Sequence, residues 1–526
     1  MTALDEPNPG SGYSRRGFLK RAGVGAGTLA VSGGGVFAPR AQAARSATVA
    51  TTPTTFGRLF PDLPGFAPAT ERIKDALREL GAPGGPLDAK DDLSKGPKLL
   101  ITDLSLSANN PNNPTHTAGT TFLGQFVDHD ITFDTASVMG APTDPGSSPN
   151  GRTPSLDLDS VYGGGPVASP ELYNPVDHAK LRIDTGGIFE DLARVSDGTN
   201  TAIIADPRND EHLMIAGLQC AFILFHNNAV DWARADGNDG SAFEQARQLT
   251  TWHYHWLVLH EFLPLVVGQA LVDDVLRHGR RFYQPRLGEG FIPVEFQAAA
   301  YRFGHSMVRP SYRANLKGDD GNPFFAMVFD PAGEGQTDPV DLRGGARAPR
   351  RFIGWQTFFD FGDGEVKPNK KIDTKISTPL FDLPLGAIAS HDTPQSLPQR
   401  NLLRQLTWSL PSGQEIAKAM DVEKLTPNEL RELKPYGFER STPLWYYVLR
   451  EAELRADGLT LGGVGGRIVA EVLIGLMESD PSSYLAQKRN WTPTLTSAGS
   501  AFRMTDFLTF AGVDPATRHT ASPDHA

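Results

Sequence analysis

The chain has 526 residues, a formal net charge of −11 and a single cysteine, with a pI near 5.7. That acidity, without a long basic block, argues against nucleic acid or an anionic membrane surface as partner, and one cysteine excludes an internal disulfide. The length suits roughly three ordinary domains or one large enzyme core able to bury a cofactor.

In chain order, Ser14-Arg15-Arg16-Gly17-Phe18-Leu19-Lys20 precedes a weakly apolar, Gly- and Ala-rich run from Ala22 to Ala38 and then the small-residue site Ala41-Gln42-Ala43. Together these resemble a twin-arginine export signal over 1–43. That route carries folded proteins, often with a cofactor in place, so the expected destination is extracellular or periplasmic. Residues 44–70, rich in Thr, Ala and Pro, read as an irregular arm. The stretch 94–113 has little periodicity, and NNPNNP at 109–114 is loop chemistry.

Thr120 to Asp134 (TTFLGQFVDHDITFD) predicts a helix. At about 100° per residue, Gln125, Asp128 and His129 share one arc while Phe122, Phe126 and Phe133 pack nearby. Asp130 is turned about 100° from His129, so the two acids flanking the histidine face different neighbours. Taken alone, such a stretch is equally a solvated helix face, a helix terminus or a set of hydrolytic metal ligands. The segments GAPTDPGSSPNGRTP (140–154) and SLDLDSVYGGGP (155–166) are loop sequence, acidic and then glycine-rich.

From Asp206 the pattern turns helical. Asp206 and Pro207 predict an N-cap and first helical residue of one long helix through DPRNDEHLMIAGLQCAFILFHNNAVDWARA, with Arg208 and Glu211 co-facial in its first turn. Further long helices are predicted in TWHYHWLVLHEFLPLVVGQAL and VEFQAAAYRFGHSMV, the latter placing Arg302 and His305 on one face. Cys220, within LQCAFILF, reads as a small packing residue. From about Gln399 helical patterns alternate with short turns, strand alternation is scarce and no repeat is evident. Past the signal no apolar run is expected to reach about 18 residues, Glu471 interrupting the best late candidate, so no membrane span is expected in the mature protein. The expected fold class is mainly α.

Over roughly residues 56–515 the sequence resembles the animal-type heme peroxidases, the peroxidase–cyclooxygenase superfamily, and specifically secreted bacterial members. Gly124-Gln125-Phe126-Val127-Asp128-His129-Asp130 matches that family's GQFxDHD, Arg208 and Glu211 its R-x-x-E, Arg302-Phe303-Gly304-His305 its R-x-G-H, and Asn401-Leu402-Leu403-Arg404 its N-x-x-R. LPSGQ at 410–414 and LGGVGGRIVAEVL at 461–473 also look like bacterial members. The resemblance implies one large catalytic domain over 71–515, a polar tail over 516–526, heme b and Ca²⁺. It makes His129 the distal acid–base residue with Gln125 beside it, Arg208 the residue over the distal pocket, and His305 the axial iron ligand. It implies heme esters at Asp128 and Glu211, and Asn401 and Arg404 bonding the proximal imidazole, with Asn401 accepting its Nδ1–H. His212 stands where some members have a methionine linked to a heme vinyl, so no sulfonium bond is expected. Asp130, Thr153, Ser155, Asp157 and Asp159 would be the calcium set, with Ca²⁺ taking 6–8 oxygens at about 2.4 Å.

The implied activity is reduction of hydrogen peroxide through a ferryl intermediate, with a halide, thiocyanate or small phenol as electron donor. Two alternatives stand beside it. A fatty-acid dioxygenase of the same superfamily carries a tyrosyl radical three residues before the proximal histidine; here Arg302 holds that place, and Tyr301, one residue off, is rotated by about 100° on a helix. An exported calcium-dependent binding or adhesion protein with a vestigial heme pocket is the non-catalytic reading. His253 and His255 lie about 200° apart on a helix and His260 does not repair the geometry, so no separate copper or zinc centre is expected; His226 reads as structural.

Overall fold

Helices carry the architecture. The structure, a computed structural model, describes residues 54–519 except Gly187, Asp319 and Ala389; the expected export signal and the end of the polar tail lie outside the described residues. Among the described residues strands form only three two-stranded antiparallel ladders, and the fold is mainly α. Residues 54–70 contain no helix, yet Phe56, Leu59, Phe60 and Phe66 are buried, and buried Glu295 accepts hydrogen bonds from the Leu59 and Phe60 N–H groups.

Helix α1 (Gly119–Ile131) follows strand β1 (Asn112–Thr117), which pairs through a bulged register with β2 (Pro368–Lys370). Every α1 residue is buried except Gln125 and Asp128, and a helix apolar on nearly all sides belongs inside a core. Phe126 of α1 stacks on Phe222 of α2 (Leu213–Ala235), their ring centroids 4.2 Å apart. Helix α2 packs along α3 (Ala242–Leu257). The chain then supplies α4 (Leu397–Thr407), α5 (Leu444–Ala456), α6 (Gly463–Ser479) and α7 (Met504–Ala511). Phe507 of α7 stacks on Phe225 at 4.1 Å, and each such buried ring stabilises the fold by about 1.5–3 kcal/mol.

Helix α2 corrects one expectation: by length and composition it could cross a membrane, its two charged residues, Asp231 and Arg234, lying near its C-terminal end. Its most apolar window is 89% buried within the protein, the position of a core helix rather than a span.

The three long helices expected from periodicity are each interrupted, and each break has a local cause. Asp206 caps a single 3₁₀ turn, Pro207–Asp210, by accepting from the Arg208 N–H. The chain then extends through His212 (φ −154°, ψ 165°), whose Nδ1 caps α2 by accepting from the Ile215 N–H. The cap holds because the flanking segment is clamped, Gly344 donating to the Glu211 carbonyl and Leu213 to the Leu342 carbonyl. Beyond α3 the helix widens into a π turn, Val258–Phe262, before Leu263–Val267. Pro264 has no N–H to offer the ordinary i−4 carbonyl and its ring would collide there, which a wider turn relieves.

The third segment breaks most. Val294–Gln297, a 3₁₀ turn at Ala300–Phe303 and Gly304–Met307 are separate pieces, with Ala299 at φ −136°, ψ −74°. The carbonyls a continuous helix would have used are satisfied from elsewhere. Arg302 Nε donates to Gln297, Gln405 of α4 donates to Ala298, and the Trp445 indole of α5 donates to Arg302. Buried carbonyls with side-chain partners remove the penalty that periodicity alone assumes.

Candidate active site

One cavity gathers residues from four separate stretches: Gln125, Asp128 and His129 of α1; Arg208, Glu211 and His212; Tyr301, Arg302 and His305; and Arg404 of α4. The two α1 residues that are not buried are thus those opening into the cavity.

The hydrogen-bond network fixes the state of His129. Asn209 gives its amide N–H to Gln219 at 2.8 Å, so its oxygen faces His129 Nδ1, also at 2.8 Å. Nδ1 therefore carries the proton and donates it, and Nε2 keeps its lone pair. Burial, reinforced by the Arg208 charge, pushes the imidazole down to about 3, so it is neutral across the working pH range. Asn209 and Gln219 were not singled out by the sequence reading. Asn209's position beside Arg208 is a signal; its link to Gln219, a turn and more into α2, is tertiary.

Arg208 is held rather than free. Asp206 takes its Nε at 3.0 Å and Nη2 at 2.7 Å, the His129 carbonyl accepts from Nη2 at 3.0 Å, and the guanidinium lies 4.3 Å from the Phe133 ring centroid. Burial pushes the Asp206 carboxyl up, but Arg208 outweighs it and keeps Asp206 ionised.

Gln125 lies in a second relay. His212 accepts at Nδ1, so its Nε2–H donates to Gln125 Oε1 at 2.8 Å, and the Gln125 amide donates to Glu211 Oε2 at 3.3 Å. His212, noted in the sequence only as a departure from methionine, thus orients one of the two acids. Burial pushes Glu211 up to about 8 against the pull of Arg208, and burial likewise raises Asp128. Both are carboxyls that burial beside the cavity makes harder to ionise.

On the opposite wall, Asn401 meets His305 Nδ1 at 2.8 Å, and Arg302 donates to Asn401 Oδ1 at 3.2 Å. This corrects the expectation that Asn401 accepts from Nδ1. A guanidinium has only donors, so it claims the amide oxygen and turns the amide N–H toward the ring. For His305 to offer the Nε2 lone pair to a metal, Asn401 must turn over and release Arg302. Burial, reinforced by Arg302, pushes the His305 imidazole down to about 3, the neutral state that ligation needs. Arg404 does not reach His305: it forms a 2.6 Å ion pair with Asp134. Arg302 has no carboxylate within ion-pair distance among the described residues, and burial followed by Arg404 lowers it to about 9. A buried guanidinium without an anion calls for an anionic ligand. Two neutral imidazoles, two carboxyls raised by burial and an arginine without a carboxylate partner on one cavity fit a carboxylate-bearing porphyrin.

Tyr301 also corrects the sequence reading. Its phenol lines the cavity and donates to the Gly124 carbonyl at 3.1 Å, so being one place off the expected position does not keep it out of the site.

Behind α1, Asp130, Asp157 and Asp159 bring carboxylate oxygens within 4.8 Å of one another. The loop between them is not extended. Leu158 is left-handed (φ 59°, ψ 33°) and starts a short helix at Asp159, a conformation that costs a leucine about 1–2 kcal/mol. Asp130 accepts from the Leu158 N–H and the Ser160 hydroxyl. The Ser155 hydroxyl is given to Asp480 and the Thr153 N–H to Asp159. Of the five expected ligands the three carboxylates converge, while the Ser155 hydroxyl proton is directed to Asp480.

The comparisons agree with this geometry. The animal haem peroxidase family model matches residues 138–332, a range that includes Arg208, Glu211 and His305 but not His129 or Asn401. Over those residues the chain is similar to the animal haem peroxidases. It is 28% identical over 223 residues to the human probable oxidoreductase PXDNL (37% of this chain, 15% of that protein) and 28% identical over 168 residues to human eosinophil peroxidase (28% and 22%). The chain thus spans less than a quarter of these relatives' length. Among solved structures, peroxidase A from Dictyostelium discoideum superposes with a TM-score of 0.59 at 13% identity, covering 89% of this chain and 93% of that one. The Arabidopsis thaliana fatty acid alpha-dioxygenase gives 0.54 at 14% identity, covering 83% and 74%.

The carboxylate cluster yields a pH test. Burial and then Asp159 push Asp130 up to about 7, and burial followed by its acidic neighbours raises Asp157. Without a cation the folded chain holds protons that the unfolded chain releases near pH 4, so this contribution falls as pH rises from about 4 to 7. Ca²⁺ is expected to raise the melting temperature more at pH 7.5 than at pH 5, against EDTA controls. An increment independent of pH would contradict a cation site here.

Proposed function

We propose that this protein is a heme-dependent peroxidase that reduces hydrogen peroxide and oxidises a halide, thiocyanate or a small aromatic donor. We also propose that Ca²⁺ occupies the Asp130, Asp157 and Asp159 cluster and that residues 1–43 direct export by the twin-arginine route to an extracellular or periplasmic site. The observation that carries the reading is that one cavity holds two neutral histidines, each with Nδ1 engaged by an asparagine. Heme supplies two-electron oxidising chemistry when bound, and His305 would hold its iron. His129 Nε2 takes the proton from one peroxide oxygen and returns it to the departing one. Arg208, fixed by Asp206, offsets negative charge developing on the leaving oxygen. Asp128 and Glu211, both raised by burial, would form the esters with the porphyrin edge, and the relay from His212 through Gln125 supports this by aligning Glu211.

A fatty-acid dioxygenase is the second reading, favoured by Tyr301 on the cavity wall and by the apolar lining residues Leu380, Leu383 and Leu397. Against it, the Tyr301 hydroxyl is already given to Gly124.

The purified holoprotein is expected to show a Soret band and peroxide-dependent oxidation of iodide or a phenol. Oxygen uptake with a fatty acid and no peroxide turnover would select the dioxygenase, and heme without either activity the binding protein. His129→Ala should retain heme and slow the stopped-flow reaction with peroxide by ~10²–10⁴. Asn209→Leu should slow it by ~10–100-fold through loss of orientation, and near-normal rates in both variants would remove His129 from the mechanism.

The esters have their own test. After peroxide treatment, heme should resist acid–acetone extraction from the parent protein and become partly extractable in Asp128→Asn and Glu211→Gln. Full extraction from the parent would rule the links out.

A further inference from the structure

The π turn Val258–Phe262 is a wall with chemistry on both sides. Phe262 lines the inner cavity, whereas Leu259 and His260, two and three residues earlier, line a separate outer cleft floored by Tyr484. π turns recur at functional sites because they re-aim side chains. Here the turn brings the His260 ring onto Trp256 at 3.8 Å and its Nε2 to the Tyr484 hydroxyl at 3.1 Å. Tyr484 also lies 5.5 Å from Trp491 and 6.2 Å from Trp256, centroid to centroid. Inward, rings succeed one another at 6.2 Å from Tyr484 to His255, His255 to Tyr254 and Tyr254 to Phe126 of α1. Aromatic rings thus run from the helix carrying His129 to a cleft open to solvent, with Tyr254, Tyr484 and Trp491 among the oxidisable members.

A buried phenol can be oxidised reversibly only if its proton has somewhere to go. His260 provides that place: burial, with a smaller push from Arg503, lowers it to about 4, so it is neutral and able to accept. The cleft is also suited to a ligand. Leu276 and Leu485 give it apolar surface; Arg489 at its edge pairs with Glu478 at 3.4 Å, whereas Arg277 has no ion-pair partner among the described residues and is the charge that would meet an anionic aromatic.

We propose that the outer cleft is a second electron-entry site, where phenolic donors too large for the inner cavity, acidic ones preferred, reduce Tyr484 while His260 Nε2 handles its proton. This rests on the peroxidase reading above. Tyr484 gives one electron toward the inner cavity and its O–H proton to His260, leaving a phenoxyl radical. A donor phenol in the cleft then gives one electron to Tyr484 and loses its own proton to solvent, while His260 returns its proton to the Tyr484 oxygen. Two such cycles consume the oxidising equivalents of one peroxide: H₂O₂ and two phenols give two phenoxyl radicals and two waters.

The test uses the heme-loaded full chain. With peroxide and a nitroso spin trap but no donor, peptide mass spectrometry should locate an adduct on Tyr484. Tyr484→Phe should abolish that adduct and lower kcat/KM for a phenol-bearing dextran by at least ~10-fold, with iodide turnover as the inner-cavity reference. Arg277→Glu should raise KM for 4-hydroxyphenylacetate while leaving its kcat unchanged. Iodide turnover with no Tyr484 adduct, or with unchanged dextran oxidation in Tyr484→Phe, would overturn the second site alone. Absence of peroxide-dependent turnover of both iodide and a small phenol in the parent would instead overturn the peroxidase reading and this one with it.

Discussion

Asp206 is the point on which both sides of the site are hung. Its fully buried carboxylate pairs with Arg208 at 2.7 Å and with Arg152 at 3.1 Å. Arg208 reaches the His129 carbonyl, and Arg152 pairs with Asp159 of the carboxylate cluster at 3.1 Å. A single buried anion therefore ties the general-base helix to the loop beneath it. Removing one partner of such a group leaves a buried charge uncompensated, at a cost of about 3–5 kcal/mol. The arrangement persists because two guanidiniums and the Arg208 N–H share the one carboxylate.

The helix α1 adds a covalent version of the same tie. Asp128, His129 and Asp130 are consecutive, yet 3.6-residue periodicity sends the first to the cavity edge and the third to the loop. Occupancy of the loop and position of the imidazole are then set by one rigid element. The amides complete this frame, since Asn209 and Asn401 determine which nitrogen each histidine can present.

Much of this was legible from residue order, because motifs on α1, at Arg208–Glu211 and at Arg302–His305 have fixed local spacing, and the mainly α fold follows from periodicity. What was not legible depends on partners distant in sequence. Asn401 orients its nitrogen to His305 only because Arg302 takes its oxygen, and Arg404 is diverted by Asp134. The Ser155 hydroxyl is captured by Asp480, 325 residues away. Tyr301 meets the Gly124 carbonyl, 177 residues earlier, a contact only the tertiary fold supplies. Periodicity reads the default path of the backbone; hydrogen bonds from other elements decide where it departs.

Those same breaks order events in time. The segment that carries His305 borrows its carbonyl partners from Gln405 and Trp445, which are made more than 100 residues later. The His129 side also waits, since β1 pairs with Pro368–Lys370 and the segment before α2 is clamped by Leu342 and Gly344. Both walls of the cavity are therefore completed only by residues made long after the histidines they hold.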